Sequence, residues 1–317
     1  MIELRDINSA QQIIAGRIHI TPLMSATTLG RRINAHLYFK AEVFQKTGSF
    51  KPRGAINKLH RLTEEERRRG VITISSGNHA QGLAYAASLF GISATVVMPH
   101  TTPANKIDAT KGYGAEVFLT EGELLTTCLE IKKERNLTMV HPFDDPHIVA
   151  GQGTIGLEIL GDLPKVDTVF VPVGGGGLIS GIATAIKLKK PTVKIVGVEP
   201  TGAPTMYQSL QRKAVFHLNR MDTIAEALAA PFVGELNLAL VQKYVDELVL
   251  VSDDEMIEAL CLILEQCKIL TEPAGAAGFA ALLFKKVNIP SGSEVVCLLS
   301  GGNIDRTRLG HFLIKRQ

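Results

Sequence analysis

The residue best suited to covalent chemistry in this sequence is a lysine that stands directly before a proline. Lys51 precedes Pro52, and because proline is favoured at the first position of a helix, we expect a helix to begin here. A lysine whose amine is neutral can form a Schiff base with a carbonyl group. The positive end of the predicted helix dipole disfavours the ammonium form of Lys51 and so favours this chemistry. Taken alone, the pair is also typical of a surface lysine at the start of a helix.

Four consecutive glycines, Gly174 to Gly177, are a second feature that could bind the same ligand as this lysine. They follow an apolar, β-branched segment at 168–173 and precede an apolar segment at 178–186, an order that predicts a strand, a loop and a helix. Without Cβ atoms, successive backbone N–H groups can converge on a phosphate at the start of that helix. The lysine and the glycines together indicate an aldehyde cofactor that carries a phosphate.

Other uses of the glycine run stay open on this pattern. It is not a P-loop, because no Gly-Lys-Ser or Gly-Lys-Thr follows it. In a dinucleotide-binding motif the third glycine would fall on Ile179 or Ser180, but Glu199 stands at a suitable distance along the chain for a ribose contact. A tight turn without a ligand is a further alternative, although an ordinary loop would not need the conformational entropy cost of so many glycines.

Four motifs follow one another along the chain. They are residues 49–55 (SFKPRGA), residues 75–82 (SSGNHAQG), the four glycines, and residues 300–303 (SGGN). In this order they resemble the fold-type II pyridoxal-phosphate enzymes, specifically the threonine dehydratase and serine racemase family. Sister enzymes for β-replacement typically carry Lys-Asp-Arg in place of the Lys-Pro-Arg of the first motif, which favours the dehydratase branch. The resemblance extends over essentially the whole chain.

Short apolar, β-branched segments alternate with helical segments, which predicts an α/β fold with two doubly wound parallel-sheet units. The resemblance implies the same architecture, similar to that of the tryptophan synthase β subunit. It further implies a larger cofactor-binding domain (residues 1–50 and 151–317) and a smaller movable domain (residues 51–150), with the cofactor between them. The segment 200–231 lacks clear periodicity and receives no assignment.

The resemblance assigns pyridoxal 5′-phosphate to these motifs as the cofactor. Lys51 would bind its aldehyde carbon, the backbone of the glycine loop its phosphate and Asn78 its phenolic oxygen. Ser300 would face its pyridine nitrogen, and because a neutral hydroxyl stabilises a pyridinium less than a carboxylate does, the electron sink would be weak. The cofactor-binding set is Phe50, Lys51, Asn78, Gly174, Gly175, Gly176, Gly177, Leu178 and Ser300.

The substrate would lie beside the second motif. Backbone amides at the start of a helix can hold a substrate carboxylate, and the residues placed there are Ser75, Ser76, Asn78 and His79. An asparagine after Ser-Gly is equally typical of a turn or a helix cap. The pattern therefore predicts the position of these residues more firmly than their roles.

The activity implied by the resemblance is that of a lyase of amino-acid catabolism, which converts L-threonine and L-serine to a 2-oxo acid and ammonia. Lys51 would act as the general base that removes the α-proton. Serine racemase, or a mixed racemase and dehydratase, is an alternative, because Ser76 matches the family's candidate acid/base on the opposite face of the cofactor. A nicotinamide dehydrogenase and a non-catalytic metabolite-binding protein are alternatives outside this chemistry. Because the chain ends soon after the last motif, we expect no regulatory domain.

A divalent cation is a further expectation from the racemase-like relatives. Their ligand positions fall on Glu199, Ala203 and Thr205, where the last replaces an aspartate. Mg²⁺ and Ca²⁺ favour carboxylate oxygens, so we predict a weak site with Glu199 as its only charged ligand. A strand-end carboxylate paired with a nearby base is the alternative for Glu199.

The composition agrees with such an enzyme, because 317 residues with 45% hydrophobic content are enough for a large core, and the net charge is +3. The run of acids and then bases at 64–69 predicts a solvated helix end and not a nucleic-acid patch. The N-terminus is too polar for a signal peptide and no apolar run reaches membrane-spanning length, so we expect a cytoplasmic protein. The four cysteines lack Cys-x-x-Cys spacing and predict reduced thiols. The family implies a homo-oligomer, either a dimer or a tetramer.

Overall fold

The computed structural model describes residues 1–314. In this part of the chain the strands are β1 (Leu23–Ser25), β2 (His36–Ala41), β3 (Val71–Ile74), β4 (Ala94–Pro99), β5 (Glu116–Thr120), β6 (Thr138–Met139), β7 (Thr168–Pro172), β8 (Lys194–Pro200), β9 (Glu247–Val251) and β10 (Glu294–Leu299). They form two sheets, and this confirms the predicted α/β fold with parallel sheets.

The larger sheet has six strands in the order β1-β2-β10-β7-β8-β9. β1 runs antiparallel to β2, with Leu23 opposite Lys40, and the other neighbours are parallel. β7 and β10 are buried along their whole length. Such burial is expected of a parallel sheet that has helices on both faces.

The smaller sheet has four parallel strands in the order β5-β4-β3-β6. Val71 of β3 lies opposite Ala94 on one side and Thr138 on the other. All four strands come from the segment between residues 71 and 139. The exact division into two domains, and the mobility of the smaller one, remain predictions.

The α-helices in the described residues are α1 (Leu4–Ile14), α2 (Thr27–Ile33), α3 (Lys51–His60), α4 (Glu64–Arg69), α5 (Asn78–Phe90), α6 (Ala104–Gly112), α7 (Leu124–Glu134), α8 (Pro146–Asp162), α9 (Gly177–Lys189), α10 (Thr205–Arg212), α11 (Glu235–Tyr244), α12 (Asp253–Cys267), α13 (Pro273–Leu283) and α14 (Arg306–Ile314). α3 packs against both α5 and α8. α3 therefore connects the layers around the smaller sheet with those around the larger one.

Local signals account for several of these helix starts. α3 begins at Lys51 with Pro52 in its first turn, as the sequence predicts. α4 is the exposed helix expected at 64–69, and Thr63 caps it by accepting the N–H of Glu66. The unassigned segment 200–231 contains α10 and a short 3-10 turn at Glu226–Leu228.

Among residues 1–314, every helix is too short or too polar to span a membrane. Within the described residues, none of the four cysteines forms a disulfide bond.

Candidate active site

A cavity of about 490 Å³ lies where strands of both sheets end. Residues that follow the carboxyl ends of β3, β7 and β10 line it, as expected for ligand sites of parallel α/β sheets. The structure brings the whole predicted cofactor and substrate set to this one cavity: Phe50, Lys51, Ser75, Ser76, Asn78, His79, Gly174, Gly175, Gly176, Gly177, Leu178 and Ser300. The predicted cation ligands lie outside its lining.

The amine of Lys51 projects into the cavity from the first residue of α3. Its Nζ donates a hydrogen bond to the carbonyl oxygen of Pro142 at 3.1 Å and lies 5.1 Å from the ring centre of Phe50. Burial lowers the pKa of Lys51 to about 8, and the nearby Glu272 carboxylate opposes this shift only in part. Near neutral pH, a much larger fraction of this amine than of an ordinary lysine is therefore unprotonated and able to act as a nucleophile or base.

The glycine loop presents unpaired backbone donors to the same cavity. It follows β7, and α9 begins at its last glycine. Within residues 1–314, no acceptor takes the N–H groups of residues 174–178. Free N–H groups at a helix start form an anion site, and the helix dipole adds to their attraction for a phosphate. The loop is therefore suited to a phosphate group.

Close packing also requires glycine in this loop. A Cβ on Gly175 would lie 2.4 Å from ring carbons of Phe143, and one on Gly177 would lie 2.8 Å from the Phe143 carbonyl oxygen. Gly176 has a φ of +93°, which side chains disfavour. Asn237 fixes the arrangement, because its Nδ2 donates to the carbonyl oxygens of both Phe143 and Gly175. No local sequence pattern indicates this contact with Phe143.

Asn78 is the first residue of α5, and both the nitrogen and the oxygen of its side-chain amide form hydrogen bonds. Its Nδ2 donates to Oε1 of Glu272 at 2.7 Å, and its Oδ1 accepts from Nδ2 of Asn303 at 2.8 Å. Burial raises the pKa of Glu272 to about 7, while the hydrogen bond from Asn78 lowers it. Glu272 lines the cavity but was not predicted to do so. Its position directly before Pro273, at the start of α13, is a helix-start signal and does not by itself indicate a ligand site.

The segment before Lys51 is tied to the end of β10. The N–H of Phe50 donates to the carbonyl oxygen of Ser300 at 3.1 Å, and Ser49 pairs with Gly301 in an antiparallel bridge. Ser300 is buried at the rim of the cavity. The first and last sequence motifs therefore lie side by side.

The predicted substrate residues lie around the start of α5. Ser75 accepts the N–H of Gly77 through its Oγ, at 3.2 Å. His79 is buried, and its Nε2 has no hydrogen-bond partner among the described residues. Burial holds the pKa of His79 well below its usual value, with the Lys51 charge as a further cause. His79 is therefore a neutral imidazole at the cavity lining, and its Nε2 is buried and unpaired within the described residues.

The side chains predicted to bind a cation already form hydrogen bonds within the protein. The two carboxylate oxygens of Glu199 accept the N–H groups of Met206 and Tyr207, both at 2.8 Å, and the Thr205 hydroxyl donates to the Ala230 carbonyl oxygen. Burial raises the pKa of Glu199 to about 8. Within residues 1–314 no cluster of three or more His, Cys, Asp or Glu side chains could hold a metal ion. Glu199, Ala203 and Thr205 are therefore poorly suited to bind a cation strongly, and weak binding of a cation remains a prediction.

Comparison with known proteins places the chain in a family. The family model described as "Pyridoxal-phosphate dependent enzyme" matches residues 14–301. The chain belongs to this family. It is 47% identical over 319 residues to an L-threonine ammonia-lyase from Thermotoga maritima, a match that covers 99% of the chain and 79% of that protein. It is 45% identical to the catabolic L-threonine dehydratase TdcB of Staphylococcus aureus N315, over 98% of the chain and 91% of that protein.

A solved structure of maize serine racemase superposes on this pyridoxal-phosphate-dependent enzyme with a TM-score of 0.93. The two share 37% identity, and the match covers 99% of the chain and 97% of the racemase. These similarities confirm the resemblance found in the sequence. They set aside the nicotinamide dehydrogenase and the non-catalytic binding protein as alternatives. The unpaired N–H groups of the glycine loop and the Lys51 amine in one cavity fit the family's cofactor.

Proposed function

We propose that this chain is an ammonia-lyase that dehydrates and deaminates L-threonine and L-serine to a 2-oxo acid and ammonia. One observation carries the proposal: the Lys51 amine, with its pKa lowered to about 8, shares a cavity with the free N–H groups of the glycine loop. Relatives named L-threonine ammonia-lyase and L-threonine dehydratase support the reaction and the substrate.

The cofactor held by these residues is pyridoxal phosphate. When bound, it supplies an electron sink that stabilises negative charge at the substrate α-carbon. The backbone N–H groups of residues 174–178 would hold its phosphate, Asn78 would donate to its phenolic oxygen, and Ser300 would serve its ring nitrogen. Phe50 lies beside Lys51 and covers the amine on one side.

Lys51 is the residue that moves the proton. Its amine would hold the cofactor's aldehyde carbon and would act as the general base that removes the proton from the substrate α-carbon. Burial favours the neutral form that this step requires. The β-hydroxyl group then leaves with a proton as water, and a second water molecule hydrolyses the resulting 2-imino acid to the 2-oxo acid and ammonia.

The substrate carboxylate binds at the start of α5. Ser75 and Ser76 precede this helix, and His79 lies in its first turn. The positive end of the helix favours an anion there. A carboxylate bound there would direct the rest of the substrate toward Lys51.

Serine racemisation is the second candidate function. The similarity to maize serine racemase supports it, as does Ser76 at the cavity wall. A racemase requires a second acid/base on the face of the cofactor opposite Lys51, and Ser76 is our candidate for it. We also propose that the protein is cytoplasmic and, on family resemblance, that it forms a homo-oligomer.

The Lys51→Ala variant tests the proposed function. We expect it to lose the visible absorption band of lysine-bound cofactor, the linkage reducible by borohydride, and the production of 2-oxobutanoate from L-threonine. Lys133→Ala removes an exposed lysine of α7 and serves as the matched control. A Lys51→Ala protein that is folded and still carries a reducible lysine linkage would overturn the assignment.

A further inference from the structure

A buried hydrogen bond joins residues that stand 194 positions apart in the sequence. Asn78 starts α5, which packs against α3 and β4, whereas Glu272 immediately precedes α13, which packs against β7 and β10 of the larger sheet. Their Nδ2 and Oε1 atoms lie 2.7 Å apart, and each residue is 8% exposed. A short hydrogen bond from an amide to a buried carboxylate is a strong one.

The pair lies directly over Gly301 of the last motif. A Cβ at Gly301 would come within 2.9 Å of the Glu272 Oε1 and 3.1 Å of the Asn78 Nδ2. The backbone of Glu272 is anchored at the same residue, because its N–H donates to the Gly301 carbonyl oxygen at 3.0 Å. The position of the Glu272 carboxylate is therefore fixed by backbone and packing.

A third side chain determines which way the Asn78 amide points. Asn303 donates through Nδ2 both to the Thr47 carbonyl oxygen and to the Asn78 Oδ1, each at 2.8 Å. A rotated Asn78 amide would place its NH₂ group against the donor of Asn303 and its oxygen against the Glu272 carboxylate. Both contacts would be repulsive. Only one orientation of the amide satisfies its neighbours.

We propose that Glu272 is a positioning residue that aims the Asn78 amide at the cofactor. An asparagine NH₂ group has two hydrogens, and Glu272 accepts one of them. The other remains for the cofactor's phenolic oxygen, so this inference rests on the role of Asn78 in the proposed function. Without Glu272, only Asn303 would restrain the amide, and the donor would lose its fixed direction.

The test compares Glu272→Gln with Glu272→Ala. Glutamine keeps an oxygen that can accept from Asn78, whereas alanine removes it. Loss of a well-placed hydrogen bond to a bound ligand weakens binding by roughly tenfold. We therefore expect Glu272→Ala to weaken pyridoxal phosphate binding by roughly tenfold and to shift the absorption maximum of the bound cofactor, with Glu272→Gln close to wild type.

A double-mutant cycle shows whether Glu272 acts through Asn78. If it does, Glu272→Ala combined with Asn78→Ala should bind the cofactor no more weakly than Asn78→Ala alone. The thermal stability of each cofactor-free variant is the control for a merely structural role. If Glu272 had only a structural role, Glu272→Ala would lower the melting temperature of the cofactor-free protein, and Glu272→Gln would not restore binding of pyridoxal phosphate.

The outcomes separate this inference from the proposed function. Unchanged affinity and absorption in Glu272→Ala, or equal losses in the alanine and glutamine variants, would overturn the positioning role while the wild type still binds cofactor. A wild-type protein that binds no pyridoxal phosphate would overturn the proposed function itself.

Discussion

The guanidinium group of Arg53 holds both carboxylate oxygens of Glu42, through Nε and Nη2, at 2.8 Å each. Both side chains are fully buried. Arg53 also donates to Thr154 and to both carboxylate oxygens of Glu158, so all five of its N–H groups have acceptors. Since Arg53 stands two residues after Lys51, this network fixes the start of α3 to the turn at residues 42–44 and to α8.

Replacing Arg53 by lysine should therefore destabilise the protein. A lysine keeps the charge but cannot form the paired contacts of a guanidinium, so buried acceptors lose their donors. We expect the free energy of unfolding to fall by roughly 3 kcal/mol, measured by urea denaturation. Arg69→Lys, in the exposed pair with Glu65, should change it by less than about 0.5 kcal/mol. Equal effects of the two variants would contradict the structural role of the buried network.

Gly175→Ala should weaken cofactor binding. The added methyl group would overlap the Phe143 ring, so either the ring or the glycine loop must move. We expect roughly a tenfold or greater loss of affinity for pyridoxal phosphate, because the N–H groups would no longer converge. Gly161→Ala in α8 is the control, since a Cβ there meets only open space. Cofactor titration followed by fluorescence measures both, and wild-type affinity in Gly175→Ala would contradict the prediction.

Attachment of the cofactor should depend on pH through Lys51. Only the neutral amine attacks a carbonyl group, and burial lowers the pKa of Lys51 from 10.5 to about 8. The association rate of pyridoxal phosphate with the cofactor-free protein should therefore rise with pH and level off above a midpoint near 8. Stopped-flow absorption measures this rate. A midpoint near the ordinary lysine pKa would show that burial does not lower the pKa of Lys51.

Ser76→Ala should separate the two faces of the cofactor. Lys51 suffices to remove the α-proton of an L-amino acid, whereas Ser76 would serve the opposite face. We expect the variant to lose D-serine formation and D-serine dehydration to a greater extent than L-serine dehydration. Chiral chromatography and 2-oxo acid detection measure the three rates. Equal losses in all of them would instead indicate that Ser76 binds the substrate carboxylate.

Added Mg²⁺ or Ca²⁺ should raise the melting temperature only slightly, and EDTA should lower it only slightly. Glu199 offers one carboxylate, whose oxygens already accept two backbone N–H groups. Thr205→Asp would supply a second carboxylate and should increase the response, because hard cations gain most from charged oxygen ligands. A large gain in the wild type would contradict a weak site. No response at high cation concentration would show that the site has been lost.

Local sequence patterns predicted much of the fold. The apolar segment at 168–173 contains β7, the segment at 178–186 lies within α9, and Pro52 lies in the first turn of the helix that it predicted. These features depend on residues close together in the chain, whose preferences for strand, helix and turn act locally. The segment 200–231 was less predictable, since only a short helix, a 3-10 turn and irregular backbone occur there.

The site was predicted in part for the same reason. The motifs around Lys51, Asn78, the glycines and Ser300 are short and distinctive, and all of them line one cavity. Glu272 was missed because an acid before a proline is common at helix starts and does not by itself indicate a ligand. The Phe143 contact was missed because phosphate binding alone was enough to account for the glycines.

The sequence by itself determined the alternation of strands and helices, the family and the candidate residues for a phosphate-bearing aldehyde. Only the tertiary structure decided which distant side chains contact these candidate residues and their neighbours and hold them in place. Arg53 meets Glu158 across 105 positions because α3 packs against α8. Asn78 meets Glu272 across 194 positions because the parallel sheets bring separate segments to a common edge. The lowered pKa of Lys51 likewise results from burial within the folded protein, a property that no local pattern specifies.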